Sequence, residues 1–273
     1  MTPPRWIRLD SLDSTSLYAR REIEASKLTA AGGPAAIVAI EQHGGIGRFG
    51  RPWSSPRGGL WCTLAVPLDG DTTSLLDGLG LRIGLACLDA VREAVSAEVR
   101  DRVRLKWPND LLLDDRKIAG VLSEVVRGPE RRTLLLIGFG LNANFSANEL
   151  PTTVRSSATT LAAHGIRTDV DALAAALAAR LLAITESPGP GAGELKRARA
   201  ELGAARMQPL SMPNGVKEPA TLIELDQIGR ALFRTADGRV VARTAGPVME
   251  PQAEGIGQIM QPPGSKPGGC ENH

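Results

Sequence analysis

The chain has 273 residues, with 32 Lys plus Arg against 30 Asp plus Glu and a formal net charge of +2. That balance argues against a polybasic nucleic-acid or membrane-surface protein, and three cysteines and three histidines without a C-x-x-C pair argue against a Cys/His zinc site. No apolar run reaches signal-peptide or membrane-spanning length, so a reducing cytoplasm is the expected compartment.

Residues 6–9 read as a short strand. Asp13-Ser14-Thr15 reads as a helix start, because short polar side chains satisfy the first amides of a helix, and Tyr18-Ala19-Arg20 falls inside it. Residues 35–40, AAIVAI, and 59–68, GLWCTLAVPL, are apolar strands flanking a long loop at 43–56 that is rich in Gly, Arg, Pro and Ser. Residues 75–95 are predicted as one long helix with Leu81, Leu85, Leu88, Val91 and Val95 on one face. Gly78, Gly80 and Gly84 weaken its start and leave room for close packing on a sheet. Cys62 and Cys87 lie in apolar runs and read as small buried hydrophobes.

Strands are expected at 103–105 and 110–113, with Asp114-Asp115 turning into further strands at 117–126 and 134–139. A helix over 170–184 places Leu173, Leu177, Leu181 and Ile184 on one side, with Thr168 or Asp169 as its cap. SPGPGAG at 187–193 is a linker or loop, followed by a helix at 194–202. Composition then shifts to short strands at 221–225, 231–234 and 240–243 with turns at 226–229 and 237–238, the pattern of a small β-barrel. Residues 251–273 lack periodicity and read as a disordered tail. The expected division is a main domain over 1–204, a small barrel over 205–250 and the tail.

Three segments carry chemical signal. In QHGGIGRFGRPW (42–53), glycines let backbone amides approach an anion, and Arg48 and Arg51 add fixed positive charge. Its G-x-G-x-x-G match lacks the following helix that a dinucleotide site requires, and no P-loop ending occurs. Taken alone, this segment is equally a surface loop with scattered arginines.

KWPNDLLLDDRKIAG (106–120) sets Lys106 and Lys117 on either side of a hairpin-like segment. Asp110 in it could hold a Mg²⁺ whose other ligands are phosphate oxygens and water. For each lysine alone, a solvated surface role is the plainer reading; Trp-Pro-Asn-Asp is a costly choice for a plain turn. GFGLNAN (138–144) ends an apolar strand, with Gly138 and Gly140 able to admit a flat group and Asn142 able to hydrogen-bond a nucleotide. Alone, it reads as well as a strand ending in a turn. His43 and His164 read as surface or loop residues. Ser14, with no histidine in its motif, reads as a cap or ligand hydrogen-bonder rather than a nucleophile.

Together and in this order, the segments from about residue 9 to 144 resemble the biotin protein ligase family, and the most specific part is KWPND followed by Arg-Lys-Ile-Ala-Gly. The resemblance implies an α+β fold: a mixed sheet flanked by helices, related to class II synthetases and lipoate ligases, with a small C-terminal SH3-like β-barrel. It implies an ATP-dependent biotin–[biotin carboxyl-carrier protein] ligase that uses Mg²⁺, forms biotinyl-adenylate, and transfers biotin to a lysine of a carrier domain. Ser14, Thr15 and Gln42 would then contact the biotin head group. Gly45 and Arg48 would close over carboxylate and adenylate, and Gly120 and Gly138 would wall the pocket. Lys117 would sit on the carboxylate and bridging phosphate oxygen, so Lys117 and Arg48 are the catalytic candidates. Arg51, Trp53, Lys106 and Asn142 would serve the nucleotide, and Asp110 the Mg²⁺.

The family's loop usually reads Gly-Arg-Gly-Arg-x-Gly-Arg, whereas this chain has Ile46 at the first arginine, which implies weaker substrate or adenylate binding. The Ser-Thr motif at 14–15 leaves no room before it for a winged helix, so neither DNA nor a membrane is an expected partner, while a homodimer through sheet edges stays open. Two other readings stay open: a ligase for a related acid such as lipoate, and a non-catalytic biotin- or carrier-binding protein.

Overall fold

The apolar runs pair into one mixed sheet. The computed structural model describes residues 2–68, 73–107, 109–129, 133–187, 189–202, 207–211, 217–244 and 248–249. Strands β1 (Arg5–Leu12), β2 (Ala35–Gln42), β3 (Leu60–Leu68), β4 (Val103–Lys106), β5 (Asp110–Leu113), β6 (Arg116–Arg127) and β7 (Thr133–Leu141) lie in the order β1-β2-β3-β7-β6-β5-β4. β1 and β2 run parallel, joined through helix α1 (Thr15–Glu24), and the other neighbours on this path are antiparallel.

Side-chain alternation divides the sheet into two faces. On one, Ala19 and Ile23 of α1 pack against Ala35, Ile37, Ala65, Leu134 and Leu136. On the other, the larger core joins Leu64, Val66, Leu135 and Ile137 to Leu81, Leu85 and Leu88 and to Leu173, Leu177 and Leu181. Each such aliphatic side chain, once buried, contributes roughly 1.5–3 kcal/mol.

The helix expected over 75–95 is two helices, α2 (Thr73–Leu76) and α3 (Leu79–Glu93). Gly78 breaks it with φ 58°, and a Cβ there would lie 2.8 Å from Pro190 Cγ and 3.0 Å from the Ile228 carbonyl oxygen. The glycine thus turns the chain where two later segments press against it. Gly84, within α3, does permit close packing: its missing Cβ would sit 3.0 Å from Leu105 Cδ1. A further single turn, α4 (Ala97–Arg100), was not anticipated.

Helix α5 (Val170–Thr185) is capped by Asp169, whose carboxylate accepts the amides of Asp171 and Ala172 at 3.0 Å each. Thr168 instead uses its backbone to hold the Asn144 side chain. Helix α6 (Ala192–Leu202) begins two residues before the expected start.

Four later strands, β8 (Met207–Ser211), β9 (Lys217–Leu225), β10 (Ala231–Thr235) and β11 (Val240–Arg243), form a separate antiparallel sheet in the order β11-β10-β9-β8, consistent with an SH3-like C-terminal domain. Its Phe233 is fully buried edge-on against Trp107, with ring centroids 5.1 Å apart. The chain then returns to the large sheet as β12 (Val248–Met249), parallel to β6 at Glu124 and Val125, a strand the composition did not announce. The tail expected over 251–273 lies outside the described residues.

Candidate active site

α1 covers only part of its face of the sheet. Beyond its first turn, Thr63 of β3 and Gly138 of β7 stand opposite each other, as do Gly140 of β7 and Gly120 of β6. Glycine at three positions on one face leaves a shallow trough floored by backbone. The Gly-Arg loop covers it. That loop is a small hairpin: the Trp53 amide donates to the Gly45 carbonyl (2.8 Å), Ile46 bridges Pro52, and the Gly47 amide donates to the Arg51 carbonyl (2.8 Å). Its tip is a single tight turn, Arg48–Gly50, with Phe49 held at φ 61° and 76% exposed.

The indole of Trp53 lies on the glycine pair. A Cβ on Gly140 would fall 2.7 Å from Trp53 Nε1, and one on Gly120 would fall 3.2 Å from both Trp53 Cζ3 and Lys117 Nζ. Lys117 Nζ sits 4.9 Å from the Trp53 ring centroid, within cation–π range, and 2.5 Å from Asp110 Oδ1. Gly45 is needed at the foot of the hairpin, because a Cβ would come within 2.5 Å of the Trp53 carbonyl oxygen.

Lys117 reaches this face through a β-bulge. Leu111 pairs with Ala119 and Leu112 with Lys117, so Ile118 is an extra residue. Residues three apart in a regular strand face opposite sides; the inserted residue returns Lys117 to the side of Gly120. The residue is then held from its outer side, its amide donating to Ser157 O (2.8 Å) and its carbonyl accepting from the Thr159 amide (2.9 Å).

Arg48 shares this electrostatic neighbourhood. Burial pushes its pKa down, Asp110 pulls it back up, and the Arg51 charge adds to the downward push. Both guanidinium groups lie over the Phe49 ring, at 5.4 and 5.8 Å. Arg51 is exposed, and Lys106 is exposed at the end of β4, its backbone paired with that of Asp110. Asn142 is buried; its Nδ2 donates to the Thr159 carbonyl at 3.0 Å. Asn142 Oδ1 and Trp53 Nε1 find no hydrogen-bond partner among the described residues. Buried polar atoms are rarely left so, and these two offer one acceptor and one donor to a ligand.

The start of α1 supplies the polar end of the trough. Ser14, Thr15 and Ser16 are all buried. Gln42 Oε1 accepts the Thr15 amide (2.7 Å) while its Nε2 donates to Ser55 Oγ (2.7 Å), so Gln42 braces the helix start. Ser14 occupies the cap position of α1, but its side chain makes no capping bond. Thr63 Oγ1 donates to Thr15 Oγ1 at 2.9 Å and lies 3.0 Å from Ser16 Oγ. Ser16 and Thr63 were not singled out from the sequence; a threonine in the buried run GLWCTLAVPL was the available signal. Asp13 fixes this corner from outside by pairing with both terminal nitrogens of Arg21, at 2.6 and 2.8 Å.

His164, expected at the surface or in a loop, lies in the connection between β7 and α5 and is mostly enclosed, with Nδ1 3.4 Å from Asp114 Oδ2 and Nε2 3.1 Å from Thr159 Oγ1. His43 is exposed, as expected. Among the described residues no group of three or more His, Cys, Asp or Glu could hold a metal ion, so Asp110 belongs to no such cluster.

The sequence model of the Biotin/lipoate A/B protein ligase family matches residues 10–142. Over these residues the chain is similar to this family. The match begins at the helix-start motif and ends at Asn142, so it encloses every side chain of the trough. The bifunctional ligase/repressor BirA of Escherichia coli is 35% identical over 179 residues, covering 65% of this chain and 52% of that protein. The chain spans about half the length of the bifunctional relatives it matches. The biotin–[acetyl-CoA-carboxylase] ligase of Mycobacterium tuberculosis is 29% identical over 218 residues, covering 78% and 77% of the two chains. Among solved structures, the biotin protein ligase of Aquifex aeolicus in complex with biotin and ATP superposes with a TM-score of 0.68 at 25% identity, over 89% of this chain and 96% of the other. The Leishmania major biotin protein ligase in complex with biotinyl-5-AMP gives 0.60 at 28% identity, over 89% and 100%.

Proposed function

We propose that this chain is an ATP-dependent biotin ligase, which joins biotin and ATP to biotinyl-AMP and then passes the biotinyl group to a lysine of a biotin carboxyl carrier domain. The observation that carries the reading is Lys117, set beside Asp110 and the Trp53 ring over the facing glycines Gly120 and Gly140. A cation above a backbone-lined trough suits an acid whose body lies flat while its carboxylate meets a nucleotide phosphate. The ligase complexes with biotin, ATP and biotinyl-5-AMP among the structural relatives support the same substrates.

In the first step a carboxylate oxygen of biotin attacks the α-phosphorus of ATP, and pyrophosphate leaves. Both reactants are anions, so the site must offset their repulsion and hold them in line. Lys117 and Arg48 supply the charge, with Arg51 and Lys106 nearer the nucleotide. Ser14, Thr15, Gln42, Gly45, Gly120 and Gly138 border the biotin end, while Trp53 and Asn142 offer the unpaired donor and acceptor. Gln42 acts chiefly through Thr15, since both ends of its amide are engaged. In the second step the carrier amine attacks the carbonyl carbon of the mixed anhydride, releasing AMP, and the amine sheds a proton.

A single carboxylate fits Mg²⁺ delivered on a nucleotide, because that ion takes most of its ligands from phosphate and water. Asp110 would hold it, and it would supply charge neutralisation at the phosphates. In the proposed organisation residues 1–204 are the catalytic domain and 205–250 the C-terminal domain, working in the cytoplasm; a homodimer is compatible with it. Among the described residues no helix is long and apolar enough to cross a membrane.

Incubation with ATP, Mg²⁺, biotin and a carrier domain, followed by streptavidin blotting, tests the proposal. Label on the carrier lysine is expected. Absence of label at saturating substrate overturns the reading, and pyrophosphate release with lipoate but not biotin replaces it with the lipoate reading.

A further inference from the structure

Two groups of the site hang on one short segment. Lys117 pairs through its amide and carbonyl with Ser157 and Thr159, and Asn142 Nδ2 donates to the Thr159 carbonyl. Arg116 clamps the same stretch, its Nη2 donating to the carbonyls of Arg155 (2.8 Å) and Ala158 (2.7 Å). Thr159 is fully buried, so its hydroxyl must find a partner inside the protein. That partner is His164 Nε2, at 3.1 Å.

The other imidazole nitrogen lies 3.4 Å from Asp114 Oδ2. Asp114 and Asp115 form the turn that feeds directly into Arg116 and Lys117, both with positive φ, at 49° and 64°. A conformation that non-glycine residues adopt reluctantly needs support from its surroundings. Arg102 supplies part of it, with Nε 3.0 Å from Asp114 Oδ1 and Nη2 on Oδ2. Arg104 adds a bond from its Nη2 to Asp115 Oδ1, and His164 adds its contact with Asp114 and links the turn to Thr159. With the ring proton on Nδ1, facing the carboxylate at 3.4 Å, Nε2 is left to accept the Thr159 hydroxyl, the tautomer that a neighbouring carboxylate favours.

We propose that His164 is a positioning residue: it ties the 114–115 turn to Thr159, and through the Thr159 backbone holds Lys117 and Asn142 in register over the glycine trough. His164 touches no substrate. The inference rests on the ligase reading for its kinetic consequence, though the mechanical link stands apart from it.

The test uses the full chain with His164→Ala, Thr159→Val, the double variant and His164→Gln. Because misplacing a catalytic group by about 1 Å can cost on the order of 100-fold, the first two are expected to lower kcat for biotin-dependent ATP–pyrophosphate exchange by about tenfold or more. KM for biotin and ATP should change less. The double variant should be no worse than either single one, because both break one link. His164→Gln retains an acceptor for the Thr159 hydroxyl and should recover most of the rate. Amide hydrogen exchange at Lys117 and Thr159, measured without ligand, should accelerate in both single variants. Thr159→Val serves if His164→Ala fails to fold. Unchanged kcat in both singles, multiplying losses in the double, or unchanged amide exchange overturns the inference. A wild-type chain without pyrophosphate exchange overturns the ligase reading instead, and the amide exchange then decides the link alone.

Discussion

Lys117 Nζ and Asp110 Oδ1 lie 2.5 Å apart, so the lysine over the facing glycines is paired with the carboxylate proposed to hold a metal. On the proposed ligase reading, the carboxylate or phosphate of the substrates would compete with Asp110 for the Lys117 ammonium.

Replacement of Lys117 by Met tests the cation of this pair, and replacement of Asp110 by Asn tests the carboxylate. In the first, biotin-dependent pyrophosphate exchange should fall about 10²–10³-fold, the scale for losing one preorganised charge partner in acyl chemistry. Asp110→Asn should retain nucleotide-independent biotin binding while raising the Mg²⁺ concentration needed for half-maximal exchange. Titration of exchange rate against Mg²⁺, beside calorimetry with biotin alone, checks both.

Gly140→Ala places a methyl 2.7 Å from Trp53 Nε1, and the indole cannot yield without leaving the trough. A loss of biotin affinity of about tenfold or more is expected, the effect of one ill-fitting methyl-sized group being ~1–3 kcal/mol. Gly193, in α6, is the control: nothing lies within 4 Å of the Cβ that alanine would add. Gly193→Ala should leave activity alone and raise stability by up to about 1 kcal/mol. Calorimetry and urea denaturation read the two outcomes.

Asp13 is held at a pKa of about 2 by its bonds to Arg21, and also by the Ser14 amide, below the ordinary 3.8. A depressed carboxylate stabilises the fold above its unfolded-state value and loses that contribution as pH falls through the folded value. The Asp13 contribution is thus complete above about pH 4 and gone near pH 2. Because both side chains are partly in water, it should amount to ~1 kcal/mol or less. Melting of Asp13→Asn against wild type should differ above pH 4 and converge toward pH 2.

Ile46 faces Pro52 across the loop hairpin and offers no charge where relatives of this type usually place arginine. Ile46→Arg should slow release of the acyl-adenylate by about 10–100-fold, equivalent to a charge-assisted contact of ~1.5–3 kcal/mol. Release measured by rapid filtration, unchanged between the two chains, would show that position 46 does not touch the intermediate.

Much of this was legible in the residues. Apolar runs located β2, β3, β6 and β7, and leucines at steps of four and three located α5, because strands covered on both faces and a helix buried on one demand those patterns. The fifteen residues of KWPNDLLLDDRKIAG carried most of the family resemblance and singled out Lys117. Other features depend on contacts between distant segments, which local pattern cannot encode. Gly78 splits a helix only because Pro190 and Ile228 arrive beside it. Val248 and Met249 form a strand only because part of β6 offers an open edge. His164 looked like a surface or loop residue because Thr159 and Asp114 reach it from different elements. Gln42 was read as a ligand contact, yet its amide already joins α1 to Ser55.

The bulge at Ile118 has a genetic corollary. Because the bulge absorbs one residue, Lys117 already pairs with Leu112 as though position 118 were absent. Aliphatic exchanges at 118 should pass with minor effect. In-frame deletion of that single codon would straighten the strand and leave Lys117 two places from Gly120, on the same face, at the cost of one buried aliphatic side chain, whereas insertion of one residue between 117 and 120 would turn the lysine to the opposite side of the sheet. In a population of variants, this stretch should bear the loss of a residue better than the gain of one.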